Sequence, residues 1–314
     1  MGAAPEVPTA VLGRPVRARL RSAALAAWLR DHWDYPEHAP AAHRFAVVME
    51  EIDPRAAPAV PAGEPLVAAM PGLRVEWWRD GDAWHAGGPA AGVRLRLADD
   101  GAEILVWGAG RGRRAMPFGA LYMALCEALR ASGLLPVHAA VAAPPGDGGA
   151  VALVGPSGAG KSTTLLRLVA RGWTPLAEDL SWLDPTDGTL YGWDRGVRLW
   201  PGTAAMFVPW LADAPWIEGP DGKQFLAWRA LGAPARRTAP LSALTALERD
   251  PGGAPAWERL TLRDAVRVLW EATGVPLSEP ARRAAEAAAP AVLARVLPWR
   301  LRLGAGELPA WPGA

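Results

Sequence analysis

The sequence predicts a mixed α/β fold, in which a smaller α+β domain precedes a larger α/β domain. The length of 314 residues is enough for two domains. In the first half, short apolar runs separated by turn residues are typical of neighbouring strands. In the second half, strand-like and helix-like segments alternate, and a glycine-rich loop joins one strand to one helix. We place the boundary near residue 115, giving domains of residues 1–115 and 116–314.

The first domain begins with a predicted amphipathic helix over residues 16–33, where apolar residues recur at helical spacing and arginines occupy the other side. Residues 44–51 predict a strand, and the Pro/Ala-rich residues 54–65 predict a loop or linker. This domain is expected to serve acceptor recognition or oligomerisation.

A meander of short antiparallel strands is predicted from Leu73 onwards. Turn residues at positions 79–82 and 99–101 separate its strands. A helix is then predicted over residues 118–132.

The second domain contains four predicted strands, at residues 135–142, 150–154, 173–183 and 189–193. Three helices are predicted, at residues 161–170, 262–273 and 280–297. Gly172 suits the end of the first of these helices, because glycine adopts the left-handed conformation common at helix C-termini. Pro290 is expected to break or kink the last helix.

Residues 155–162, which we call the glycine loop, read G-P-S-G-A-G-K-S and match the pattern G-x-x-x-x-G-K-[ST]. Its glycines let backbone N–H groups turn inward around phosphate oxygens, and the helix that follows adds its positive end. In this pattern Lys161 reaches the β- and γ-phosphates, and the Ser162 hydroxyl is a ligand for Mg²⁺. The loop therefore predicts nucleoside triphosphate binding, which kinases, ATPases, GTPases and transporters share.

Three further polar residues flank the loop in sequence. Glu178 and Asp179 stand at the end of the predicted strand that returns beside it, and they could divide the roles of metal ligand and proton acceptor. The alternative is a pair of solvated acids at a strand end. His138 lies on the strand before the loop and would point toward the phosphates if the two strands pair. A histidine on an apolar strand is otherwise a core residue.

Composition narrows the possible partners. The net charge of +1 favours neither nucleic acid nor an anionic membrane as a partner. Cys126 stands alone, so no disulfide is expected, and without a signal-peptide pattern or membrane span the protein is expected in the cytoplasm. The chain lacks asparagine, which excludes the guanine-reading Asn-Lys-x-Asp element. With 33 basic residues but only two lysines, Lys161 and Lys223 are both candidates for a special role.

Residues 134–270 resemble the kinase domain of HPr kinase/phosphorylase and its smaller relatives. The resemblance rests on Leu-Pro-Val-His138-Ala-Ala, on the glycine loop, and on Arg171-Gly172-Trp173 followed by Leu-Ala-Glu178-Asp179. Residues 196–201, the segment around Lys223 and Pro240-Leu241 resemble the HPr-kinase-related branch. That branch includes kinases of peptide natural-product pathways, among them lasso-peptide clusters.

The resemblance implies the fold shared with ATP-dependent phosphoenolpyruvate carboxykinase, and transfer of the ATP γ-phosphate to a serine hydroxyl with Mg²⁺. It implies Glu178 as the base, although the family usually has aspartate there, Ser162 and Asp179 as Mg²⁺ ligands, and His138 as an assistant near the γ-phosphate. The residues expected to hold the nucleotide are Gly155, Ser157, Gly158, Ala159, Gly160, Lys161, Ser162, Thr163, Arg198 and Lys223. The phosphorylase signature is not found, so kinase activity alone is expected.

The acceptor is expected to be a serine in a peptide or protein, such as a ribosomally made precursor of the lasso type. Two alternatives remain: a kinase of a free small molecule such as serine or a sugar, and a nucleotide-gated regulatory module without transfer. A homo-oligomer is also compatible with the strand-rich first domain.

Overall fold

The computed structural model describes residues 6–33, 44–70, 73–108, 118–146, 148–207, 210–211, 213–219, 222–232, 237–304 and 306–312. The fold is mixed α/β, as predicted. The chain divides into two compact units, residues 1–133 with 276–285 and residues 134–275 with 286–314. The division in the middle of the chain thus lies after Gly133, whereas the sequence placed it near residue 115. None of the helices in the described ranges is long and apolar enough to cross a membrane.

The first unit is built on an eight-stranded mixed sheet in the order β1-β2-β3-β8-β7-β6-β5-β4. Its strands are β1 (Glu6–Val11), β2 (Arg14–Arg19), β3 (Ala46–Ile52), β4 (Leu66–Met70), β5 (Leu73–Asp80), β6 (Ala83–Gly87), β7 (Gly92–Ala98) and β8 (Gly101–Trp107). The predicted meander is confirmed, because β5 to β8 pair antiparallel in sequence order. A short 3₁₀ helix (Pro54–Ala56) opens the predicted loop.

The helix predicted over residues 16–33 is wrong in its first part. Residues 14–19 form β2, and helix α1 (Ala23–Trp33) begins four residues later. Along β2, Val16 and Ala18 are buried, whereas Arg17 and Arg19 are exposed. This alternation has the period of a strand, and the arginines that looked like one face of a helix are one face of a sheet.

The core of the first unit lies on one face of the sheet. Helix α2 (Phe118–Ala131), predicted over residues 118–132, packs on β5, β7 and β8. Between them are buried side chains of alternate strand positions, such as Trp77, Val93 and Ile104.

The second unit contains a nine-stranded sheet, with the path β12-β10-β11-β18-β14-β13-β9 and with β20 and β19 continuing from β18. Its strands are β9 (Leu135–Val137), β10 (Ala140–Ala143), β11 (Ala150–Val154), β12 (Thr174–Ala177), β13 (Ser181–Leu183), β14 (Thr189–Gly192), β18 (Thr238–Arg249), β19 (Ala256–Arg259) and β20 (Leu297–Leu303). Helix α3 (Lys161–Val169) follows β11, as predicted.

Two of the predicted strands of this unit are interrupted at matching positions. Residues 135–142 split into β9 and β10, and residues 173–183 split into β12 and β13. Val137 pairs with Ser181, and Val141 pairs with Ala177, so both halves continue one antiparallel ladder. The ladder opens between these pairs. The opening contains residues 138–140 on one side and residues 178–180 on the other.

A separate three-stranded antiparallel sheet, β15-β17-β16, follows in the chain. Its strands are β15 (Gly196–Leu199), β16 (Ile217–Glu218) and β17 (Gln224–Ala227), with helix α4 (Pro201–Ala205) after β15 and a 3₁₀ helix (Trp228–Leu231) after β17. Val197, Leu199 and Leu226 are buried in the same core as α3. One face of this sheet is therefore covered by the second unit.

Helix α5 (Leu262–Thr273) matches its prediction and is capped by Thr261, whose side chain accepts from the Asp264 N–H. Helix α6 (Glu279–Leu293) runs through Pro290 and ends three residues later, so the expected break at the proline is wrong. The predicted extension to residue 297 is also wrong, because β20 begins at Leu297 and pairs parallel with β18.

Candidate active site

The glycine loop connects β11 to α3 and has the backbone conformation that its glycines allow. Gly158 and Gly160 have φ values of 81° and 101°, which a residue with a Cβ adopts at a cost. Ala159 is buried, and its N–H donates to the Pro156 carbonyl over 3.1 Å. Ser157 and Gly158 are exposed at the tip. The loop therefore brings solvent-accessible backbone to the N-terminus of α3, where an anion is favoured.

Lys161 is the first residue of α3, and its side chain turns back into the loop. It is 8% exposed, and Nζ donates to the carbonyl of Gly155 at 2.8 Å and of Pro156 at 3.5 Å. Burial lowers the pKa of its ammonium, while the carboxylates of Asp179 and Glu178 act in the opposite direction. The loop thus encloses a positive charge next to its backbone N–H groups.

Ser162 and Thr163 complete the first turn of α3, and Ser162 makes a direct contact with Glu178. The Ser162 hydroxyl donates a short hydrogen bond to the Glu178 carboxylate. Glu178 is 8% exposed, and burial raises its pKa to about 7, assisted by the charges of Asp194 and Asp179 and opposed by the Ser162 hydrogen bond. A carboxyl with this pKa exchanges protons near neutral pH.

Asp179 points to His138 across the opening in the ladder. The distance from His138 Nδ1 to Asp179 Oδ1 is 3.4 Å, and both side chains are about half exposed. The His138 backbone N–H donates to the Ala272 carbonyl at 2.8 Å, so the end of α5 fixes this part of the chain. Burial lowers the pKa of the His138 imidazole, and Asp179 partly offsets that effect.

Asp194 positions the two acids and was not found from the sequence. Its Oδ2 accepts three backbone N–H groups, from Glu178 at 2.9 Å, Asp179 at 2.8 Å and Leu180 at 2.9 Å. Burial raises the pKa of Asp194, while the three N–H groups lower it. The Asp194 carboxyl thus accepts the N–H groups of residues 178–180, which have no ladder partner in the opening. In the sequence, only its position directly after the predicted strand of residues 189–193 could have drawn attention to Asp194.

Lys223 and Arg198 lie on the three-stranded sheet. Lys223 precedes β17, and its Nζ is 5.6 Å from the centroid of the Trp200 ring. Its charge acts to lower the pKa of both Lys161 and Glu178. Arg198 is an exposed residue of β15, opposite Phe225 of β17. The roles expected of Arg198 and Lys223 in holding the nucleotide stay predictions.

A cleft of about 740 Å³ adjoins the loop and reaches His138. It is lined by His138, by residues 154–159, by residues 246–249 at the end of β18, by Arg267, Val268, Glu271 and Ala272 of α5, and by Arg300 of β20. Arg249, Arg267 and Arg300 give its wall positive charge, and Glu248 and Glu271 give it acceptors. The volume is in the usual range for small-molecule sites, about 300–1,000 Å³.

The structure thus brings His138, Lys161, Ser162, Glu178 and Asp179 together at one loop, with Lys223 nearby. The arrangement combines an anion cradle, hydroxyl and carboxylate oxygens, and a carboxyl that titrates near neutrality. No protein-family model matches the chain, and no curated protein matches it either. The function is therefore inferred from the geometry and from the resemblance of its motifs.

Proposed function

We propose that this chain is an ATP-dependent kinase that transfers the γ-phosphate to a serine hydroxyl of a peptide or protein. We also propose that its second unit has the fold of the HPr kinase family. The observation that carries both proposals is the convergence of Glu178 and Asp179 on the glycine loop. Ser162 contacts Glu178, and Asp179 lies 3.4 Å from His138. If the glycine loop served only to cap helix α3, neither the two acids nor the buried Lys161 would be needed beside it.

The nucleotide would be held in two parts. The N–H groups of the loop, the N-terminus of α3 and Lys161 would bind the phosphates. The adjoining cleft would take the nucleoside, because it is continuous with residues 154–159 and extends along β18 and α5. The γ-phosphate would then face the acids and Lys223.

The oxygens at the loop fit Mg²⁺, which prefers hydroxyl, carboxylate and phosphate oxygens. Ser162 and Glu178 are already in contact, and Asp179 is the next residue and is exposed. Ser162 and Asp179 would hold the ion, which would neutralise charge on the transferring phosphate. These two side chains have other partners in the structure, since Ser162 bonds to Glu178 and Asp179 pairs with His138. The two acids could therefore exchange roles, and paired variants can distinguish them.

In the proposed reaction the serine oxygen attacks the γ-phosphorus, the bond from that phosphorus to the β,γ-bridging oxygen breaks, and ADP leaves. The serine proton passes to Glu178. A base with a pKa of about 7 is suited to this transfer at neutral pH. His138 would orient the acceptor, and Lys223 would add positive charge. Most of the rate enhancement in phosphoryl transfer comes from such positioning and charge stabilisation.

The first test is the replacement of Lys161 by Ala and by Arg, with titration of an ATP analogue and a transfer assay on serine peptides. Both variants should lose transfer, because the wide guanidinium does not fit the position of a compact ammonium enclosed by loop carbonyls. Arg167, on the same helix, supplies the control in its change to Lys, which should retain activity. Full transfer by Lys161→Ala would refute the proposed function.

A further inference from the structure

Among the described residues, one face of the three-stranded sheet presents exposed side chains. Its inner face is the buried one with Val197, Leu199 and Leu226. Arg198, Phe225 and Ile217 stand opposite one another on β15, β17 and β16, so their side chains share the other side of the sheet. Trp200 and Lys223 follow two residues further along the same side. We call this set of five residues the outer face: Arg198, Trp200, Ile217, Lys223 and Phe225.

The outer face is apolar at its centre. Trp200 is 56% exposed and Ile217 is 63% exposed, although tryptophan and isoleucine side chains are usually much more buried. The Phe225 ring lies on Gly196, where a Cβ would come within 2.7 Å of two ring atoms. Helix α4 begins directly after Trp200, and Met206, the residue that follows the helix, is 60% exposed. Contiguous exposed apolar surface of this kind marks interaction sites.

The same face is positively charged at two places. Lys223 lies over the Trp200 ring at 5.6 Å, and Arg198 stands in the row with Phe225 and Ile217. The face is joined to the candidate site through the chain, because β15 begins two residues after Asp194, whose carboxyl accepts the N–H groups of Glu178 and Asp179. A ligand that combines apolar side chains with a carboxylate would complement this surface and end at the position of the γ-phosphate.

We propose that the outer face docks the acceptor peptide and selects a bulky apolar side chain and a carboxylate within a few residues of the acceptor serine. This inference rests on the proposed kinase function and specifies its substrate. The nucleoside would occupy the cleft between β18 and α5, and none of the five residues of the outer face lines that cleft. The apolar side chain would rest on Trp200, Phe225 and Ile217, and the carboxylate would meet Lys223 or Arg198.

The test uses a library of short peptides with one fixed serine and randomised neighbours, incubated with the full chain, ATP and Mg²⁺ and sequenced by mass spectrometry. Phosphorylated peptides should be enriched in Leu, Ile, Phe and Trp and in Asp and Glu near the serine. One apolar peptide and its glycine-substituted counterpart are then compared in steady-state kinetics with Ile217→Ser and Trp200→Ala.

The variants should lower kcat/KM for the apolar peptide about ten-fold, and change it little for the glycine peptide, because only the first loses an apolar contact. Affinity for the ATP analogue should be retained. Leu262→Ser and Trp270→Ala are matched controls, since these residues are 70% and 40% exposed on α5. Both should behave as the unchanged chain.

Several outcomes would overturn the inference. The first is that the phosphorylated peptides of the library show no enrichment of apolar residues. The second is that the variants lower kcat/KM equally for both peptides. The third is that Ile217→Ser changes the oligomeric state but not the selectivity, which would indicate self-association. Transfer to free serine but to no peptide would also overturn it and leave a kinase of small molecules. Absence of transfer to every acceptor would refute the proposed function, and this inference with it.

Discussion

Replacement of Glu178 by Gln should make the protein more stable, and increasingly so as the pH rises. Glu178 is 8% exposed, and its pKa is raised from 4.5 to about 7. An acid with a raised pKa in the folded state holds its proton more tightly there than in the unfolded chain. The stability that this carboxyl contributes is present below pH 4.5 and is lost as the pH rises to about 7. Gln is an uncharged analogue of the same shape and escapes this loss.

The magnitude follows from the difference in pKa. The shift from 4.5 to about 7 covers roughly 2.5 pH units at about 1.4 kcal/mol each, or about 3.5 kcal/mol in total. Most of this difference should develop between pH 5 and pH 8. For a chain of this size, that corresponds to a rise in Tm of several degrees at pH 8, at roughly 2–4 °C per kcal/mol.

The assay is thermal unfolding of the nucleotide-free protein at pH 5 and pH 8, for the unchanged chain, Glu178→Gln and Asp179→Asn. Asp179 is the adjacent acid, and its side chain is 59% exposed, so its variant is the matched control for the loss of a carboxylate at this site. All three proteins share Asp194, so its own titration cancels in the comparison. If Glu178→Gln follows the unchanged chain at both pH values, Glu178 is hydrated and the electrostatic account of the site fails.

The remaining predictions concern the two acids, the loop and the residue that positions the acids. Glu178→Gln should retain binding of the ATP analogue and slow transfer at least 100-fold, in the usual range for loss of a general base. Asp179→Asn should instead weaken Mg²⁺-dependent nucleotide binding. Titration and single-turnover assays measure both effects, and the reverse pattern would exchange the roles of the two acids. Gly160→Ala should lower the free energy of unfolding by about 1–2 kcal/mol and reduce nucleotide affinity, because Gly160 has a φ of 101° and a Cβ would lie 3.0 Å from Leu303. The control in the same melting and binding assays is Gly202→Ala, where a Cβ would have no atom within 4 Å. Asp194→Ala should lower the free energy of unfolding in urea by roughly 3 kcal/mol, because it leaves three N–H groups unpaired, and it should lower kcat more than nucleotide affinity. Asp194→Asn keeps a carbonyl acceptor and should recover part of the stability and part of kcat. Equal losses in the two variants would contradict the positioning role.

The sequence predicted the local part of the site well because that part depends on contiguous residues. The loop conformation follows from Gly158 and Gly160, and the strand and helix around it follow from short apolar patterns. The meander of the first unit was also predictable, because turn residues separate strands that pair with their neighbours in sequence.

The opening in the ladder could not be predicted in the same way. Residues 135–142 and 173–183 are each apolar enough for an unbroken strand, and the break depends on the Asp194 carboxyl, which lies beyond a further strand. Likewise, β2 was taken for helix because the spacing of its arginines suits both periods over a short segment. The outer face depends on the pairing of three strands distant in sequence, so its residues could not be grouped before the structure was known.

The most direct test of the kinase function is mass spectrometry of serine peptides after incubation with the protein, Mg²⁺ and ATP labelled with ¹⁸O in the γ-phosphate, with free serine present as a competitor. The proposed function predicts one labelled phosphate on a peptide serine, formed together with an equal amount of ADP and absent with Lys161→Ala. Bound ATP that remains intact, with neither peptide nor serine phosphorylated, would contradict it.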